Sequence, residues 1–119
     1  MKPKNIKEFQ ALVERYETIT LQEIKDNWKE PNRYSSGDNT ARFLTGFGGK
    51  DKCSLCLVIG GDCDYCVYGG DILLLNHCNG GINRKSFKRI RFADTPRKLL
   101  NAFRARAKHL RENYSKYLK

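Results

Sequence analysis

Two cysteine pairs set close together constrain this chain more than any other feature. The spacing is Cys53-x2-Cys56, six residues, Cys63-x2-Cys66, then eleven residues to Cys78, with His77 beside it. A two-residue spacer turns both sulfurs of a pair to one side of a tight loop. Two such loops facing each other supply the tetrahedral thiolate set that zinc prefers. Gly60-Gly61 lies midway between the pairs, where the backbone must reverse sharply to bring them together. One structural zinc on Cys53, Cys56, Cys63 and Cys66 is the expected cofactor, with Cys78 and His77 as alternate ligands. At least one of the five sulfurs is then spare. Four thiolates leave no open coordination position, so such a zinc would brace the fold and not catalyse.

Other uses of the cysteines stand beside this one. Buried cysteine packs as a small hydrophobe. An iron–sulfur cluster also takes four thiolates, but the spacing matches none of the common cluster signatures. A thiol–disulfide redox protein would use one CxxC pair opening a helix, where the helix dipole lowers the thiolate pKa. Here Cys53-Ser54-Leu55-Cys56 runs into Leu57-Val58-Ile59 and glycines, which favours a strand or turn.

A brace would matter. At 119 residues the chain is read as a single domain that buries roughly 65% of its unfolded surface. Its hydrophobic share is 39% and its mean hydropathy −0.67, so the core is thin. No signal peptide and no bilayer-spanning apolar run is evident, and a soluble protein of a reducing cytoplasm is expected, with no membrane partner. In that compartment closely spaced cysteines serve as metal ligands or redox thiols.

The expected fold is α+β, in three parts: helical over 1–31, a cysteine-rich metal-binding β part over 42–92, and a basic helix over 95–117. Asn5, with Glu8 three residues on, is a candidate cap for a first helix carrying Ile6, Phe9, Val13 and Tyr16. Thr20-Leu21-Gln22-Glu23 has capping-box form and opens a second helix through about Lys29, closed by Pro31. Asn32 to Thr40 reads as an exposed loop. Arg42-Phe43-Leu44-Thr45 is a strand candidate stopped by Gly46-Phe47-Gly48-Gly49, which lacks the Lys-Ser/Thr ending of a P-loop. Asp71 to Asn76 and Ser86 to Phe92 are further strand candidates, forming a hairpin across Gly80-Gly81. Thr95-Pro96 is a strong helix start.

Charge is concentrated at the C-terminal end. The chain carries 23 Lys+Arg against 13 Asp+Glu. From Ile82 to Lys119 there are 13 basic residues against only Asp94 and Glu112. Seven of the thirteen are arginine, whose guanidinium fork clamps pairs of phosphate oxygens. At helical phase Arg97, Arg104, Lys108 and Arg111 share a stripe of the last helix. Leu99, Leu100, Phe103, Ala107, Leu110 and Tyr114 take a different face, assigned to the core. Arg84, Lys85, Lys88, Arg89 and Arg91 precede them, and all nine cations are expected to form one continuous positive surface. Such an excess attracts polyanions, although a charge run on a terminal helix also serves simply as a solvated face.

No carboxylate pair and no Ser/His/Asp set is evident, so neither an enzymatic role nor a small-molecule substrate is expected. His109 is read as a partly buried packing residue, and Trp28 and Tyr16 as core.

Leu44-Thr45-Gly46-Phe47-Gly48-Gly49 running into Cys53-Ser54-Leu55-Cys56, then Cys63-Asp64-Tyr65-Cys66, resembles short cysteine-rich, zinc-knuckle-like proteins encoded by bacteriophages. The resemblance covers residues 43–78. Some proteins of this kind inhibit host defence, among them anti-CRISPR proteins that engage a nuclease complex at its nucleic-acid channel. The resemblance implies a binding protein in a host cytoplasm and carries no functional residue onto this sequence.

The expected function is that of a zinc-stabilised basic protein that engages nucleic acid or a nucleoprotein complex, including as an inhibitor of a host nuclease. A direct DNA- or RNA-binding regulator is the near alternative. A thiol–disulfide redox protein is the alternative of another class.

Overall fold

The structure, a computed structural model, describes residues 3–46, 67 and 81–118. Among these residues five α-helices follow one another: α1 (Ile6–Thr18), α2 (Leu21–Asp26), α3 (Ser36–Thr45), α4 (Arg84–Arg91) and α5 (Pro96–Asn113). Short 3-10 turns cover Gly81–Asn83 and Ser115–Tyr117.

The long helix α5 is the hub, packing against α1, α2, α3 and α4. Thr95 caps it by accepting the Lys98 N–H, and Pro96 sits in its first turn, where a missing N–H costs nothing. Its buried face carries Leu99, Ala102, Phe103, Arg106, Ala107 and Leu110. Opposite lies α1, whose Phe9, Leu12, Val13 and Tyr16 recur at the helical period and are all buried. Two aromatic contacts lock the pair. Phe9 meets Tyr114 edge-on at 5.7 Å, and Tyr16 stacks on Phe103 at 5.4 Å. Tyr114, just past the end of α5, is also buried, whereas Leu100 packs at the margin.

After α1 the chain turns through buried Ile19 into α2, which Thr20 caps at the Glu23 N–H and which buries Ile24. This helix ends at Asn27, before Lys29 and Pro31. The Asn27 side chain donates to the Glu23 carbonyl at 2.8 Å, competing with the next helical bond. Trp28 packs against the core from its edge.

The expected α+β fold is not found: no strand occurs among the described residues. Two of the three strand candidates are helices. Arg42–Thr45 is the end of α3, which Ser35 starts by accepting the Asp38 N–H, within the stretch expected to be an exposed loop. Gly37, Asp38, Thr40 and Ala41 are buried, and Gly46 stops the helix at φ 70°, donating its N–H to the Arg42 carbonyl. Ser86–Phe92 belongs to α4 and its cap. A strand there would put a cation on both faces, whereas a helix sends Phe87 and Ile90 inward and every cation outward. The third candidate, Asp71 to Asn76, lies outside the described residues, as do Cys53, Cys56, Cys63, Cys66, His77 and Cys78 with the expected zinc. A metal-braced sheet built on 42–92 is therefore replaced by helix packing wherever the chain is described.

Asn5 differs from expectation in one respect. It occupies the position before α1 but makes no side-chain cap. Its Oδ1 instead accepts the N–H of Val67 at 3.0 Å, and both residues are fully enclosed. Val67 directly follows Cys66, so this bond fixes the residue after the second cysteine pair against the start of α1. No helix among the described residues is long and apolar enough to cross a membrane.

Candidate nucleic-acid interface

The eight residues of α4, Arg-Lys-Ser-Phe-Lys-Arg-Ile-Arg, hold five cations. At about 100° per residue, Ser86, Phe87 and Ile90 fall on one side. Ile90 is buried and Phe87 partly so. Arg84, Lys85, Lys88, Arg89 and Arg91 fall on the other and are all exposed.

Both ends of this helix are anchored. At its start the buried Asn83 donates from Nδ2 to the Tyr114 hydroxyl at 2.8 Å, and its Oδ1 lies 2.8 Å from His109 Nε2. Arg106, fully buried on α5, donates to the Asn83 carbonyl at 3.0 Å and to Ser86 Oγ at 2.7 Å. Asn113 lies 3.3 Å from the other ring nitrogen of His109, so a neutral imidazole satisfies both neighbours, donating from Nε2 and accepting at Nδ1. Burial, then the nearby Arg106 charge, hold the His109 pKa below its usual value, against an opposing pull from Glu112.

At its end α4 is seated on α3. The Ser35 hydroxyl donates to the Arg91 carbonyl. Gly37 approaches so closely that a Cβ there would lie 2.4 Å from the Ala93 carbonyl oxygen and 2.7 Å from that of Ile90. The cationic face is thus presented by a helix fixed at both ends.

The ion pairs among the described residues join Arg15 to Glu23, Arg42 to Asp38, Lys98 to Asp94 and Arg111 to Glu17. None involves an α4 cation, and Arg97 and Lys108 are also outside them. Arg104 and Arg111 have local work. Arg104 donates to the carbonyls of Tyr16 and Ile19, both at 2.6 Å, closing the C-terminal end of α1. Arg111 grips Glu17 with two bonds of 2.5 and 2.6 Å. The carboxyl pKa of Glu17 is lowered chiefly by that bond, and the Arg111 pKa is raised by it.

The nine expected surface cations therefore divide. Arg104 and Arg106, two residues apart, lie about 200° apart around α5. The first points to α1 and the second to the start of α4. Of the nine, Arg104 and Arg111 are held by the end of α1 and its flank, and the other seven make no ion pair among the described residues.

Sequence reasoning missed Arg106, Asn83, Ser86 and Gly37. Arg106 had a signal: it falls in phase with Leu99, Phe103 and Leu110, so the apolar face of α5 carries a cation that needs acceptors. Asn83 and Gly37 had none, because their partners are remote in sequence.

A hollow of about 350 Å³ between α1 and α3 is lined by Glu8, Ala11, Leu12, Arg15, Leu44 and Thr45. Arg15 is already held by Glu23 and the Leu44 carbonyl. Among the described residues no group of three or more His, Cys, Asp or Glu side chains is placed to hold a metal ion. Comparison of the chain with protein families, curated proteins and solved structures finds no match.

Proposed function

We propose that this protein binds nucleic acid, free or within a nucleoprotein complex, through the outward face of α4, and acts as a binding protein and not as an enzyme. The observation that carries this is the state of the five α4 cations. All are exposed, and none has an acidic partner among the described residues. A solvated helix normally intersperses both signs. Here the acidic neighbours pair with other cations, leaving a concentrated positive face on a firmly seated helix. Phosphates are the anions such a face neutralises best, with release of their counterions.

The test is fluorescence anisotropy of labelled oligonucleotides against the full chain, between about 50 and 200 mM salt. Affinity is expected to fall steeply with salt. The combined variant Lys85→Gln, Lys88→Gln, Arg89→Gln is expected to lower the salt slope by about 2 on a single strand, each lost phosphate contact contributing about 0.7. Its thermal melting should be unchanged. Salt-insensitive binding, or an unchanged slope in the variant, would exclude this face as the contact surface. Pull-down from lysate with and without nuclease digestion separates free nucleic acid from a protein-held target.

A further inference from the structure

We infer that the nucleic acid taken by α4 is single-stranded, with one unpaired base stacked on Phe92; this rests on the function proposed above. Phe92 caps α4 and is 64% exposed, an unusual state for a ring that the same chain buries in Phe9 and Phe103. The Phe92 N–H bonds to the Lys88 carbonyl at 2.9 Å, so the residue continues the helical turn. It therefore falls in phase with Lys85, Lys88 and Arg89, at positions i, i+3, i+4 and i+7 of one stripe.

That stripe is about 10.5 Å long, at about 1.5 Å rise per residue. It offers cations along its length and an aromatic face at its end. The Arg91 guanidinium lies over the ring at 5.8 Å from its centroid, adding a cation at that position. Duplex phosphates could use the cations, but a duplex keeps its bases stacked on one another and gives the ring no partner. Single strands expose base faces, and cations interleaved with an aromatic platform are how proteins hold them without regard to sequence. Phe43, also exposed, differs in holding its cation, the Lys29 ammonium, closer at 3.9 Å from the ring centroid, and in belonging to α3 and not to the five-cation helix.

The experiment compares Phe92→Ala and Phe92→Trp with the unchanged protein on three probes. These are a labelled thymidine oligomer of about twelve nucleotides, its duplex with the complementary strand, and inorganic polyphosphate, which has charge but no bases. Phe92→Ala is expected to weaken oligomer binding roughly 5- to 140-fold, the range for loss of one stacked base. Polyphosphate binding and the salt slope should not move, and Phe92→Trp should retain affinity. If Phe92→Ala binds the oligomer normally while the triple glutamine variant does not, stacking is overturned and the cationic face stands. Tighter binding of the duplex than of the oligomer at matched salt overturns the single-strand inference in the same way. If neither variant loses affinity, both proposals fall.

Discussion

At Gly37 the whole seat of α4 depends on the absence of a side chain. The peptide carbonyls of Ile90 and Ala93 occupy the space a Cβ would need, and backbone cannot rotate away as a side chain can. Gly37→Ala is expected to destabilise the fold by about 1–3 kcal/mol, read as a lower urea midpoint. Asn5 has a comparable role at the other end of the chain, and Asn5→Ala leaves the buried Val67 N–H without its Oδ1 acceptor. A loss of about 1–3 kcal/mol is expected by the same measurement. His109 adds a pH dependence. Its folded pKa lies below 6.5, the value its imidazole takes when unperturbed. The unfolded chain therefore binds more protons as pH falls below that value, and stability falls with it. Stability should be full above about 6.5 and decline as pH drops through the lower folded value. His109→Gln should flatten this limb. Further into acid, protonation of Glu17, Glu23 and Asp94, whose pKa values their cation partners lower, gives a second decline.

At the scale of elements, cations of identical charge on α4 and α5 do different things because their surroundings differ. On α4 the apolar side is narrow, and the remaining arc is free to carry five cations outward. On α5 four neighbours surround the helix, so Arg104, Arg106 and Arg111 meet carbonyls, a hydroxyl or a carboxylate. Arg104→Ala is expected to lower stability by about 1–2 kcal/mol, since the Tyr16 and Ile19 carbonyls lose a charged donor. Oligonucleotide affinity should stay within about twofold once folding is controlled, in contrast to the α4 glutamine variant, which should alter binding without altering stability. Measuring melting and anisotropy on both proteins gives the comparison directly.

For the molecule as a whole, the described helices gather on α5, and Val67, next to Cys66, is bonded to Asn5 at the start of α1. We propose that one zinc braces that segment through Cys53, Cys56, Cys63 and Cys66. Elemental analysis is expected to give about one zinc per chain, with a titratable thiol left over. Removing the metal should remove on the order of 10 kcal/mol of folding free energy, enough to unfold the segment. Unchanged melting after confirmed metal loss, with thiols that oxidise in pairs, would instead favour a redox dithiol.

The sequence by itself determined the helices whose signals are local. Thr20 and Thr95 start theirs with a side chain three residues from its target, and α1 and α5 show their buried faces as a plain 3.6-residue period. It also determined that the cationic excess lies beyond Ile82, and that Leu99, Phe103, Ala107 and Leu110 are core. Only the tertiary structure decided α3 and α4. Both are short, and a few apolar residues in eight to ten fit a period of 2 as easily as 3.6. Their helical state becomes the favourable one when they pack against each other, with Gly37 on the Ile90 and Ala93 carbonyls, and against α5. Tertiary structure likewise divided the cations, because whether an arginine meets solvent, a carboxylate or a helix end depends on partners up to 94 residues away. Local sequence fixes which side of a helix a charge occupies, and only packing fixes what stands opposite it.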